Sequence, residues 1–270
     1  MEATEFENYT ERLRASLESV REVIGLIILG STADSTLRDE WSDHDFWVMT
    51  ELGKQGSLVE DLSWLPDYEN IAITVHHLPY GRTIVFNSRH KIEFAVFDVN
   101  EARSGKVDRY RVLIDRGQIT ELIAAIHEDT RQQVKIRRDA LENLCVVVWS
   151  ACERYIRGEL LSARQYVDEF AITRLLSLIS EHESADERRD ALDPRRRLEL
   201  RSPGLAAELL AIRQRPVPET ASYLLKIAER ELKTKAPTLA WDKVKMVEAW
   251  ISEAFAVPPT TKPSHPSNRA

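Results

Sequence analysis

The chain has 270 residues, of which 43% are hydrophobic and 30% charged, with a formal net charge of −7. That length supports one large domain or two modest ones, and the composition is that of a soluble globular protein. The charge is uneven: residues 1–118 hold 21 acids against 13 bases, and residues 119–270 hold 23 against 24. The acidic half argues against nucleic acid as the main partner, and it suits metal ions or a cationic small substrate.

The opening stretch MEATEFENYTERLRASLESV has neither the basic nor the apolar region of a signal peptide. Phe6, Leu13, Leu17 and Val20 recur at helical spacing and predict a helix over 4–20. Val23 to Leu29 is a short apolar run ending at Gly30, which predicts a buried strand entering a tight turn. His44 to Thr50 reads as its neighbour. A β-rich stretch follows, with Ile71 to Leu78, then Thr83 to Asn87 and Lys91 to Val99 around a turn at Ser88-Arg89-His90. Val112 to Ile114 is one more short strand. From Ile119 to about Ser180 the pattern is helical, with Gly158 marking a helix end. The charged stretch 181–197 reads as a connection. Helices resume at Leu198–Ile212, Thr220–Leu232 and Trp241–Ala256, and residues 258–270 read as a disordered tail.

The expected organisation is thus an α/β domain over 1–118, with a mixed sheet and flanking helices, then an all-α bundle over 119–257. No apolar run is long enough to span a bilayer, so no membrane is expected. Cys145 and Cys152 lie seven apart in a helical pattern, about 10 Å between Cα atoms and beyond disulfide reach. They read as reduced core residues, which fits the cytoplasm.

One segment carries the chemistry. In GSTADSTLRDEWSDHDFWVMT (30–50), Asp43 and Asp45 stand at the mouth of an apolar strand. Side chains two apart on a strand share a face, so the pair makes a double negative charge that needs a cationic partner. Gly30 allows close backbone approach, and Ser31 offers a hydroxyl and an amide to a phosphate. Glu93 is a third acid inside an apolar run, Lys91 to Phe97. Three carboxylates on adjacent strands beside a Gly-Ser turn suit Mg²⁺ and a nucleoside triphosphate.

Leu29-Gly30-Ser31, then Asp43-His44-Asp45-Phe46, then Ile92-Glu93-Phe94 resembles the nucleotidyltransferase signature of the DNA polymerase β superfamily. WSDHDFWV, IVFNSRHKIEFAVFD, VLIDRG and RYIRGELLSARQ resemble segments of bacterial lincosamide and aminoglycoside nucleotidyltransferases. The resemblance implies transfer of AMP from MgATP to a hydroxyl of a small molecule such as one of these antibiotics. It implies Asp43 and Asp45 as Mg²⁺ ligands, Gly30 and Ser31 as phosphate contacts, and Glu93 as general base, metal ligand or both. Two alternatives stand beside it: a same-fold adenylyltransferase acting on a protein, as in toxin–antitoxin pairs, and a non-catalytic nucleotide-binding protein. A homodimer is compatible with the sequence.

Other residues admit simpler roles. Adjacent strand residues face opposite sides, so His76 and His77 do not readily share one ion. Asp98 lies five residues beyond Glu93 and so faces away from it. Lys91 and Arg89 are within range of a phosphate, although a basic residue at a turn is usually just solvated. Trp149 and Glu153 fall near one helix face and suit a cationic or sugar-like acceptor, against a plainer reading with Trp149 in the core and Glu153 paired to Arg157.

Overall fold

The computed structural model describes residues 3–77, 79–135, 140–183, 190 and 192–256. The segment 258–270, expected as a tail, lies outside the described residues. The chain forms two compact units, Met1–Gln133 and Val134–Ala270.

In the first unit, helix α1 (Ala3–Glu18) leads into β1 (Val23–Leu29) and a single helical turn α2 (Gly30–Ala33). Next come β2 (His44–Thr50), α3 (Gln55–Glu60), β3 (Ile71–His77), β4 (Gly81–Phe86) and β5 (Lys91–Phe97). The short α4 (Val99–Ala102), β6 (Tyr110–Asp115) and α5 (Ile119–Lys135) complete the unit. The six strands form one mixed sheet in the order β3-β4-β5-β2-β1-β6. Among the described strands, β2 and β5 pair parallel and the other pairings are antiparallel.

Strand alternation sorts the side chains onto two faces. Leu26, Ile28, Phe46, Val48, Ile92, Phe94 and Val96 point one way and pack with Tyr9, Leu13 and Leu17 of α1. Phe46 and Phe94 are register partners on β2 and β5, and their rings stack at 5.3 Å with 9° between planes. The opposite face gathers Ile27 and Met49 with Ile119, Ile123 and Ile126 of α5. Gly25 permits this close approach, since a Cβ there would lie 2.9 Å from Ile119 Cγ1. The sequence puts the domain boundary at 118/119, yet this packing joins α5 to the sheet, and the compact units divide after Gln133.

The second unit is helical. It contains α6 (Ala140–Ile156), α7 (Leu160–Gln165), a π-helical turn (Tyr166–Ala171), α8 (Ile172–Glu181), α9 (Leu198–Arg201), α10 (Pro203–Ile212), α11 (Val217–Leu232) and α12 (Trp241–Phe255). The helix expected over Leu198–Ile212 is broken at Ser202-Pro203, because a proline cannot continue the ladder and instead starts a new helix. Gly158, at φ +79°, sits just past the end of α6, as its sequence position suggests. Cys145 and Cys152 are free and buried, and burial pushes each thiol up to about 12. Among the described residues no helix is long and apolar enough to cross a membrane.

Candidate functional site

The three acids lie along the starting edge of β2 and β5. Because these strands run parallel, their first residues lie side by side, and Asp45 is the direct register partner of Glu93. Asp43 precedes Asp45 by two residues. The odd-numbered positions Trp47, Met49, Ala95 and Phe97 continue this face away from the Phe46–Phe94 core.

Glu93 is not the desolvated acid its apolar neighbours suggest. Ile92, Phe94 and Val96 take the buried side of β5, and alternation leaves the Glu93 side chain 49% exposed. Asp43 is more enclosed, at 20%.

The Gly-Ser turn closes on the aspartates from β1. Leu29 pairs with Asp45, so the chain reverses directly beside that carboxylate. Gly30 has φ +54°, a left-handed conformation that side chains rarely adopt, and a Cβ there would sit 3.5 Å from Asp45 Oδ2. The Gly30 amide donates to the carbonyl of Arg109 at 3.1 Å, which anchors the turn to the start of β6. Ser31 and Thr32 are buried.

Thr32 is a positioning residue that the sequence reading missed. Its hydroxyl donates to the Asp43 carbonyl and accepts from the Asp45 amide, both at 3.1 Å. One side chain thereby fixes the backbone on both sides of His44. The available signal was a hydroxyl directly after Gly-Ser, since Ser and Thr readily bond nearby backbone groups. Arg38 supports the same turn from behind. Its guanidinium donates to the Thr32 carbonyl at 3.2 Å, pairs with Glu7 at 2.6 Å and lies over the Phe6 ring.

His44, between the aspartates, points to the opposite face and is fully buried. Its Nδ1 lies 2.8 Å from His90 Nε2, and its Nε2 lies 3.2 Å from the Phe6 carbonyl and 3.0 Å from Thr10 Oγ1. A carbonyl needs a donor, so His44 carries its proton on Nε2 and accepts on Nδ1 from His90. Burial pulls the pKa of His44 down to about 3, with the second imidazole adding to it, and burial pulls His90 down to about 4. This neutral pair ties β2 to the turn before β5 and so supports the carboxylate edge from beneath. Two histidines 46 residues apart leave no local trace in the sequence.

Lys91 supplies a cation to Asp43 and Glu93. Its Nζ lies 2.6 Å from Asp43 Oδ2 and 2.9 Å from Glu93 Oε1. Burial alone would pull the ammonium down, but its hydrogen bonds to the two carboxylates hold it above the usual lysine range. It is therefore more than a solvated turn base. Among the described residues no three acids, imidazoles or thiols converge as a ready metal cluster. The chemistry of the donor set still fits a hard divalent cation: carboxylate oxygens on one sheet edge, with a monovalent cation already held between two of them.

The remaining candidates separate clearly. Asp98 caps α4, accepting from the Asn100 and Glu101 amides and from Gln55 Nε2 at the far end of β5, a structural role. His77 is exposed on β3 and bonds Thr83 Oγ1 at 2.8 Å. In the second unit Trp149 is partly buried and meets Trp250 edge-on at 5.4 Å, while Glu153 is exposed. Arg157 pairs with Glu159 at 3.0 Å, so the plain reading of a Glu153–Arg157 pair does not describe its guanidinium.

No protein-family model matches the sequence, and no curated protein matches it. Two of the solved structures that resemble the chain are these. An aminoglycoside 6-adenyltransferase from Bacillus subtilis is 12% identical, with 93% of this chain and 99% of that one covered, at a TM-score of 0.37. A STING-associated CdnE c-di-GMP synthase from Capnocytophaga granulosa is 13% identical, with 94% and 82% covered, at a TM-score of 0.29.

Proposed function

We propose that this protein transfers a nucleotidyl group, AMP from MgATP, to a hydroxyl of a small molecule, with lincosamides and aminoglycosides as the first acceptors to test. The observation that carries the reading is the pairing of Asp45 with Glu93 across parallel β2 and β5, with Asp43 joined to Glu93 through Lys91 and Gly30 closing on Asp45. A non-catalytic protein has no need of this edge.

Asp43 and Asp45 would hold Mg²⁺, whose chemistry there is to neutralise charge on the phosphates during in-line displacement. Gly30 and Ser31 give the triphosphate a turn that it can approach closely, and Thr32 keeps that turn in register with the aspartates. Glu93, exposed on the same face, takes the proton of the acceptor hydroxyl. The acceptor oxygen forms a bond to the α-phosphorus, the bond to the bridging β-phosphate oxygen breaks, and pyrophosphate leaves. Trp149 and Glu153, four residues apart on α6, are proposed as acceptor contacts.

The test is incubation with α-labelled ATP, Mg²⁺ and a panel of lincosamides and aminoglycosides. Label on a small molecule, lost in Asp43→Asn, is the expected result. Label only on proteins of a cell extract would replace the small-molecule acceptor with a protein. No label in either case would overturn the transferase reading.

A further inference from the structure

The Lys91 ammonium bridges Asp43 and Glu93, one acid assigned to the cation and one to the acceptor proton. We infer that Lys91 is a built-in counter-cation, displaced from Asp43 when a divalent ion enters, and that this exchange makes divalent-ion and nucleotide binding mutually dependent. The inference rests on the transferase reading of the same carboxylates and adds a regulatory step to it.

The reason is competition for one oxygen. Asp43 Oδ2 already accepts from an ammonium at 2.6 Å. A Mg²⁺ ligand oxygen must come within about 2.0–2.1 Å of the ion, and two cations sharing it would repel strongly. A divalent ion on Asp43 would therefore weaken the Lys91–Asp43 pair and favour release of the ammonium. Lys91 has the means, because its stem is flexible and its side chain is 43% exposed. Where it goes depends on what has arrived. A bare divalent ion brings no new acceptor, so the ammonium is left with Glu93 and solvent beside a doubly charged neighbour. A nucleotide brings phosphate oxygens, which are strong acceptors for a lysine point charge. Lys91 sits on the same face as the acids, two residues before Glu93, so its reach is confined to this edge. It opposes the ion alone and favours the ion with nucleotide. By linkage, each ligand then strengthens the other by the same factor.

The experiment titrates Mn²⁺ and reads the free ion by electron paramagnetic resonance. Wild type, Lys91→Met, Lys91→Gln and Lys91→Arg are compared with Mn²⁺ alone and then with a non-hydrolysable ATP analogue present. Removing the ammonium should tighten Mn²⁺ binding in the absence of nucleotide by roughly fivefold or more, within the usual range of coupling between sites. The analogue should then improve Mn²⁺ binding less in Lys91→Met and Lys91→Gln than in wild type, while Lys91→Arg stays near wild type. If both neutral variants bind Mn²⁺ alone no more tightly than wild type, the counter-cation role is overturned. Asp43→Asn separates this from failure of the site. Mn²⁺ binding with analogue that ignores Asp43→Asn would overturn the assignment of the carboxylates, and the role of Lys91 with it.

Discussion

The His44–His90 pair predicts that the fold loses stability on mild acidification, well before carboxylates titrate. Both imidazoles are neutral in the folded chain, with pKa values of about 3 and about 4 against an ordinary 6.5. A base whose folded pKa is lowered stabilises the fold fully above the unfolded value, and that stability is lost as pH falls through 6.5 toward the folded value. Between pH 7.5 and 5.5 the unfolded histidines go from mostly neutral to mostly charged, while the folded pair stays neutral. Each then contributes a loss of about 1.3 kcal/mol, with an upper bound of about 2.6 for the two. Urea unfolding at the two pH values, read by pulsed hydrogen exchange over His44–Thr50 and Lys91–Phe97, reports on the unit containing the pair. Replacing His90 with Gln should flatten the dependence. Stability unchanged from pH 7.5 to 5.5 in wild type, or an imidazole of the pair titrating near 6.5 in the folded protein, would refute the reasoning.

Thr32→Val should cost about 1–3 kcal/mol by leaving the Asp43 carbonyl and Asp45 amide without their partner; it should also weaken MgATP binding, and Thr32→Ser should restore both in urea titrations and calorimetry. Gly30→Ala should cost about 1–2 kcal/mol through its left-handed φ, together with weaker nucleotide binding, and equal stability would show that the turn relaxes freely. Glu93→Gln should leave folding intact and slow transfer by about 10²–10⁴ if it is the base; a matching fall in MgATP affinity would instead make it a metal ligand, and transfer at the wild-type rate would remove both roles.

The strands around the site were legible because each is short, apolar and bounded by a turn residue. Periodicity also put Asp43 and Asp45 on one face. What the sequence could not give was exposure. Glu93 looks desolvated in KIEFAVF until the partner of each face is known, and only the sheet order reveals that Ile92 and Phe94 go inward while Glu93 does not. Lys91 was readable by the same alternation as a companion of Glu93, but its bond to Asp43 depends on the parallel pairing of β2 and β5, a contact across roughly 50 residues. Thr32 and the histidine pair were missed for the same reason, since their partners are set by tertiary packing. The helix from Ile119 was seen, but its allegiance to the sheet depends on Gly25, far away in sequence.

The stacked Phe46 and Phe94 rings lie one step beyond Asp45 and Glu93 on the same two strands, on the other side of the sheet. Sliding one strand by a single residue would carry a carboxylate into the greasy layer and expose a phenyl ring to water. The spacing of the acids is therefore guarded by residues that never meet a ligand. Surface chemistry at this edge is free to vary one side chain at a time, for example at Lys91 or Glu93, without loosening the scaffold. Trimming either phenylalanine would instead blur the alignment of the acids while leaving every polar group in place, which on the proposed reading would slow transfer with every acid intact.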